Sequence, residues 1–277
     1  METGKSGTGR YQRMNWNYFT FSRTHPGKVR PYNEDALLDM SELGLWVVAD
    51  GMGGHCAGDI ASQMLVDKIA RYAKDNKTTH IDELRGVIQQ ANKEIFDYAK
   101  EHLEGKTMGT TLVLLFMQDG YFHCLWVGDS RIYQLREGSF TQKTRDHSQV
   151  MDLVEQGLLA IEDAESHPLA NVITRAIGVD EIVTIDQISG QLSNGDQFLL
   201  CSDGLSKELT NDEIHNTLYA DSVNQAGLAL MHSALVRGAS DNVTCALVKV
   251  CCDQNEIAEN QQDDATIPVF LRSKVRG

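Results

Sequence analysis

Four apolar runs in this chain meet an aspartate where the run stops or starts, and no other feature restricts the fold as much. Asp50 follows Leu45-Trp46-Val47-Val48-Ala49, Asp129 follows Cys124-Leu125-Trp126-Val127-Gly128, and Asp203 follows Phe198-Leu199-Leu200-Cys201-Ser202. Asp241-Asn242 leads into Val243-Thr244-Cys245-Ala246-Leu247-Val248. Runs of this length read as buried strands. A single Asp after a strand ordinarily closes a turn through an Asx bond. Four such sites, three of them with glycine beside the acid, are harder to assign to turns alone. If the strand ends converge, their carboxylates share one cleft, where repulsion raises their pKa values or unfolds the site unless a cation neutralises them. Oxygen ligands without His or Cys spacing nearby predict Mg²⁺ or Mn²⁺ rather than zinc. A carboxylate site for a metal pair suits phosphoryl chemistry. Arg30, shortly before Glu34 and Asp35, adds a planar fork for phosphate oxygens.

The pattern between these acids sets the fold class. Strand-like runs cover Tyr18 to Ser22, Asp35 to Asp39 and Leu45 to Ala49. Two amphipathic helices are predicted from His55 to Lys74 and from Ile81 to His102, with apolar residues at helical spacing. Strands resume at Thr110 to Met117, Tyr121 to Val127 and Arg131 to Leu135; with Asp119-Gly120 as a hairpin signal, these three read as one antiparallel meander. Residues 148–170 are polar and weakly periodic, which predicts a surface flap. Strands at Ile182 to Ile188 and Asp196 to Cys201, helices near Asp212 to Tyr219 and Ser222 to Arg237, and a strand from Asn242 to Val250 complete the series. The order predicts an α+β protein, two sheets sandwiched by helices. Residues 1–14 read as a flexible lead-in, 15–252 as the folded domain and 253–277 as a polar, disordered tail.

Composition removes several functions. A net charge of −14 argues against a nucleic-acid binder that relies on phosphate neutralisation. The first twenty residues lack the apolar core of a signal peptide, and the run Leu112 to Met117 is too short to cross a bilayer, so a cytoplasmic protein with no membrane partner is expected. The six cysteines lie in apolar stretches without Cys-x-x-Cys spacing, as buried free thiols do. Cys124 and Arg131 are one residue too far apart for a Cys-x5-Arg phosphatase loop, and Gly4-Lys5-Ser6 has no preceding strand to make it a P-loop.

Eight segments, in order, resemble the motifs of the PPM-type metal-dependent Ser/Thr protein phosphatases in their bacterial form. They are Arg30-Pro31-Tyr32-Asn33-Glu34-Asp35, Val48-Ala49-Asp50-Gly51-Met52-Gly53-Gly54-His55, Met108-Gly109-Thr110-Thr111, Val127-Gly128-Asp129-Ser130-Arg131, Thr144-Arg145-Asp146-His147-Ser148, Asn171 to Gly178, Cys201-Ser202-Asp203-Gly204-Leu205 and Asp241-Asn242-Val243-Thr244. The resemblance spans residues 17–250. It implies a central β-sandwich of two antiparallel sheets flanked by helix pairs, with a metal cluster at one end. It also implies that Asp50 bridges two tightly bound Mn²⁺ or Mg²⁺ ions, that Gly51 offers its carbonyl, that Asp203 and Asp241 complete one ion, and that Glu34 holds the other through water. Asp129 would share a weaker third ion with Asp203, and Arg30 would clamp the substrate phosphate. Asp35, His55, Asp146, His147 and Asn242 are candidates for supporting the ligands or for proton transfer. Animal members carry a His, a proposed general acid, where this chain has Met52.

The resemblance therefore implies a monomeric enzyme that hydrolyses phosphoserine and phosphothreonine on proteins and opposes a partner Ser/Thr kinase. A pseudophosphatase that binds phosphoproteins without turnover would lack a metal acid, and none is missing. A two-metal nuclease shares the carboxylate logic, but the acidic charge and the lack of a basic stripe argue against it.

Overall fold

The computed structural model describes residues 15–53, 57–76, 79–104, 106–164 and 167–252. The first 14 residues, residues 253–277 and His55 lie outside them. Strands β1 (Trp16–His25), β2 (Asp35–Met40) and β3 (Leu45–Met52) precede helices α1 (Ala57–Asp75) and α2 (Ile81–His102). Strands β4 (Gly109–Thr110), β5 (Leu112–Gln118), β6 (Tyr121–Val127), β7 (Arg131–Arg136) and β8 (Ser139–Gln142) follow, then α3 (Gln149–Glu155), β9 (Asp186–Gln191) and β10 (Gln197–Cys201). Helices α4 (Asp203–Ser206), α5 (Asn211–Thr217) and α6 (Val223–Arg237) lead to β11 (Val243–Cys252).

The strands form two antiparallel sheets. One has the order β1-β11-β10-β7-β8; the other has the order β2-β3-β5-β6-β9, with β4 added on β3. Alternate residues of each central strand are buried on opposite faces, which is why these strands read as continuous apolar runs. In β3, Trp46 and Val48 face the interior between the sheets, where they pack with Val113, Leu115, Phe198, Leu200, Ala246 and Val248. Leu45, Val47 and Ala49 face the other way, against Leu65 and Ile69 of α1 and Leu84, Ile88 and Ile95 of α2. On the far side, Leu199, Cys201, Cys245 and Leu247 pack against Ile214 of α5 and Leu230 and Ala234 of α6. The result is four layers, helices on sheet on sheet on helices, as the order of elements predicts.

Two sequence expectations are corrected. The stretch from Thr110 to Leu135 is not one meander. The β5–β6 hairpin forms around Asp119 (φ 51°) and Gly120 (φ 81°), both left-handed as a type I′ turn requires. But β7 leaves that sheet and pairs with β10 and β8 in the other. Gly128 causes the departure: its φ of +102° turns the chain, and a Cβ there would sit 2.7 Å from the Thr111 side chain. The second correction is β9, which begins at Asp186 rather than Ile182. Residues 180–185 instead give their carbonyls to α2: Asn92 donates to the Asp180 and Glu181 oxygens, Gln89 to Val183 and Arg85 to Ile185.

Candidate metal centre

The acids come together at one end of the sandwich because the strands that carry them stop there. Asp35 opens β2 and lies directly across from Asp50 near the end of β3. Asp203 follows β10, and Asp241 precedes β11, which pairs with β10. Asp129 sits in the crossing from β6 to β7, two residues before Arg131, whose strand partner is Cys201.

Backbone contacts fix these positions more tightly than side-chain packing does. The Asp50 N–H donates to Thr111 Oγ1 at 2.9 Å, and the Asp50 carbonyl accepts from the Thr111 N–H at 2.8 Å. The Gly51 N–H donates to the Glu34 carbonyl at 3.1 Å, and Ser62 Oγ of α1 donates to the same oxygen at 2.6 Å. A Cβ on Gly51 would lie 2.1 Å from the Gly58 carbonyl oxygen, and one on Gly204 would lie 2.0 Å from the Asn242 carbonyl oxygen, so only glycine fits at either place. Asn242, expected to be a support, is one. Its Oδ1 accepts from the Glu34 N–H at 2.8 Å, and its Nδ2 donates to the Pro26 and Tyr32 carbonyls. It binds the Arg30–Asp35 segment to the start of β11.

The electrostatics are those of acids crowded together. Burial, followed by repulsion from Asp35, Asp203, Asp129 and Asp241, holds the Asp50 carboxyl well above the usual carboxylate range. Burial pushes Asp35 up to about 7, against hydrogen bonds from Thr244 and Ser202 that pull it down. Burial and the neighbouring Asp203 push Asp129 up to about 7. Glu34 is also raised, by burial and by Asp59. Among the described residues, each buried carboxylate oxygen left without a hydrogen-bond partner belongs to Asp35, Asp129 or Asp203. Such groups are costly unless a cation or proton compensates them.

Side-chain cations compensate part of the charge. Arg30 Nη2 pairs with Asp241 Oδ2 at 2.9 Å, and Lys207 Nζ pairs with Asp203 Oδ2. With two acids turned toward these cations, no three His, Cys, Asp or Glu side chains among the described residues form a ready-made metal cage. The donor set is nonetheless all oxygen, short of positive charge and rich in unpartnered lone pairs, which fits hard divalent ions.

Two other candidates lie behind this cluster. Asp146 is engaged by Arg131, whose Nε and Nη2 donate to Asp146 Oδ2 at 2.9 and 2.8 Å. His147 Nδ1 accepts from the Gly128 N–H at 3.0 Å, and its Nε2 lies 3.4 Å from Asp186 Oδ2. Burial and Arg175 lower the His147 pKa, and with Nδ1 accepting from Gly128 the ring braces the crossing that presents Asp129. Sequence reasoning missed Ser202, which donates to Asp35 Oδ2 at 2.8 Å, and Lys207. The only signal for Lys207 was a base one helical turn after a strand-end acid. Residues 148–170 begin with α3, capped by Ser148 and tied down by the Arg145–Glu155 pair at 2.7 Å. A cavity of about 360 Å³ lies between this segment and α4, lined by Arg131, Asp146, Ser148, Asn171, Ser206 and Lys207 among others.

A helix-covered antiparallel sandwich with uncompensated carboxylates at one end is the architecture of the metal-dependent phosphatases. Residues 31–237 match the family model described as Protein phosphatase 2C, and the chain belongs to that family. It is 36% identical over 236 residues to the serine/threonine phosphatase stp of Listeria welshimeri, covering 82% of this chain and 94% of that one. It superposes with a TM-score of 0.75 and 40% identity on PppA of Pseudomonas aeruginosa, described as a key regulatory component of T6SS, covering 85% of this chain and all of that one. The catalytic domain of the serine/threonine phosphatase PstP, solved in complex with 2 manganese ions, superposes with a TM-score of 0.78 and 31% identity over 86% of this chain. No helix among the described residues is long and apolar enough to cross a membrane.

Proposed function

We propose that this protein hydrolyses phosphoserine and phosphothreonine on proteins, in opposition to a Ser/Thr kinase, as a cytoplasmic monomer. The observation that carries the reading is the set of mutually repelling, partly unpartnered carboxylates at the ends of β3, β6, β10 and β11. In this reading Asp50, the Gly51 carbonyl, Asp203 and Asp241 hold two Mn²⁺ or Mg²⁺ ions, with Glu34 acting through water. Asp129 and Asp203 would hold a weaker third ion. The ions would supply Lewis acidity toward both the phosphate and the attacking water.

The remaining work falls to side chains. Arg30, half-exposed at the rim of the cleft, turns its guanidinium from a single bond to Asp241 to the phosphate oxygens, which can take both prongs of its fork. Ser202 and Asn242 hold Asp35 and Glu34 in place while the phosphate is bound. Met52 carries no proton, and His147 is committed to Gly128, so neither donates to the leaving alkoxide. Water near the acids is one proton source, and Asp35 and His55, the latter outside the described residues, are side-chain candidates. The segment 148–170 borders the cavity beside the cleft and touches protein substrates rather than the phosphate itself.

The test is hydrolysis of a phosphothreonine peptide and of an aryl phosphate, each with Mn²⁺ and with chelator. Turnover of both with Mn²⁺ and of neither with chelator is expected. Full activity in chelator would overturn the reading.

A further inference from the structure

Lys207 does something at this site that the family resemblance does not assign. It follows the single turn of α4, its N–H donating to the Asp203 carbonyl at 2.8 Å, so its side chain folds back over the strand-end acid. There Nζ grips Asp203 Oδ2, while Asp203 Oδ1 stays buried and unpartnered, as does Asp129 Oδ1. The other nearby bases are already committed: Arg131 to Asp146 and Arg30 to Asp241. Lys207 is therefore the cation held against the Asp203 end of the cluster. A divalent ion shared by Asp129 and Asp203 calls on the same carboxylate and meets the charge of the ammonium at close range.

Lys207 also has somewhere else to go. Lys207 lines the cavity of about 360 Å³ beside α3, whose wall also includes Ser148 and Asn171. An ammonium displaced from Asp203 can turn into this space and stay hydrated. Resting on the metal reading above, we propose that Lys207 is a tethered cation that competes with the weakest divalent ion for Asp203 and so sets the ion concentration at which the site fills. An ion that also draws on Asp50 and Asp241 feels the same ammonium, whose charge reaches Asp50, but depends less on Asp203.

The test is calorimetric titration of Mn²⁺ into the chelator-stripped full chain, comparing wild type with Lys207→Met, Lys207→Gln and Lys207→Arg. The Lys207 side chain is half-exposed, and circular dichroism checks that each variant keeps the fold. Met and Gln should tighten the weakest ion about fivefold, the scale of one partly exposed ion pair, and tighten the two tighter ions by less, because those also draw on Asp50 and Asp241. Arg, which keeps the charge, should match wild type. A weak ion that appears only in the Met and Gln variants would also support the proposal. Weak binding that is the same in all four proteins, or no weak ion in any, would overturn it while leaving the metal reading intact. A wild type that binds no Mn²⁺ at all would overturn both.

Discussion

Strand β10 carries an aspartate beyond each of its ends, one buried and one mostly buried, and the two have opposite surroundings. Asp196, before the strand, is almost fully buried and fully compensated. Arg136 donates from Nε at 2.7 Å and from Nη2 at 2.6 Å, and the Ser193 N–H adds a third bond at 2.9 Å. Asp203, after the strand, has one oxygen on a flexible lysine and the other on nothing. The first arrangement is what structure asks of a buried charge: a charged partner and both oxygens bonded. The second is what a binding site asks: lone pairs kept free, with the cost covered by the rest of the fold. Burial alone does not separate a structural acid from a functional one. The completeness of its hydrogen bonding does.

The sharpest way to break this contrast is to neutralise both acids. Asp203→Asn, like Asp50→Asn, is expected to cut turnover by about a thousandfold or more, because an amide neither neutralises nor bridges a cation. Asp196→Asn should do the reverse, keeping kcat while lowering stability by about 2 kcal/mol, the scale of charged hydrogen bonds lost. Steady-state kinetics with denaturant titration on each variant decides it; equal loss of turnover at both ends would erase the distinction.

A pH series sharpens the same comparison. Asp35 and Asp129 have native values near 7 against about 3.8 in an unfolded chain, and Asp50 is shifted the same way. The native state therefore holds more protons than the unfolded one between these values, so stability falls as pH rises. In chelator, Tm should fall as pH rises from about 4 to about 7. Saturating Mn²⁺ should flatten that slope, since the ions replace the protons. An identical slope with and without Mn²⁺ would show that these acids do not receive the ions.

Smaller effects are expected at the rim. Arg30→Ala should raise KM about tenfold with a lesser fall in kcat, if the guanidinium grips the phosphate equally in ground and transition states. A pure kcat loss would place its contribution in the transition state alone. Replacing residues 150–170 with a short glycine linker should lower kcat/KM for a phosphopeptide a few-fold, about three, and leave aryl phosphate turnover nearly unchanged. Equal losses on both would mean that the segment supports the acids rather than the substrate.

The acid-rich end was legible in the sequence because it obeys a local rule: an apolar run ends and a carboxylate with a glycine follows. Which sheet each strand joins was not legible. The departure of β7 depends on the φ of Gly128 and on the space beside Thr111, neither of which leaves a trace in hydrophobic period. Strand β8 (Ser-Phe-Thr-Gln) was missed because it is a short, mostly exposed edge strand. The start of β9 was misplaced because Val183 and Ile185 are buried without being in a strand, their carbonyls claimed by polar side chains of α2. Lys207 and Ser202 were missed because hydrophobic period does not show which way a side chain beside a marked acid turns: Lys207 folds back over Asp203, and Ser202 reaches Asp35 of the other sheet.

The pairing of β1 with β11, in register from Trp16 opposite Cys252 to His25 opposite Val243, fixes the order in which the centre can be made. Strand β11 lies between β1 and β10, so while the chain is being synthesised β1 has no neighbour in its sheet until residues 243–252 emerge. Asn242, which ties the Arg30–Asp35 segment to the other acids, arrives at the same moment. The helices and the other sheet, built from nearer contacts, can form earlier. The ribosome therefore finishes the acid-rich end last, and under the proposed metal reading a nascent chain would gain the full set of ion ligands only when nearly all of the domain has left the tunnel.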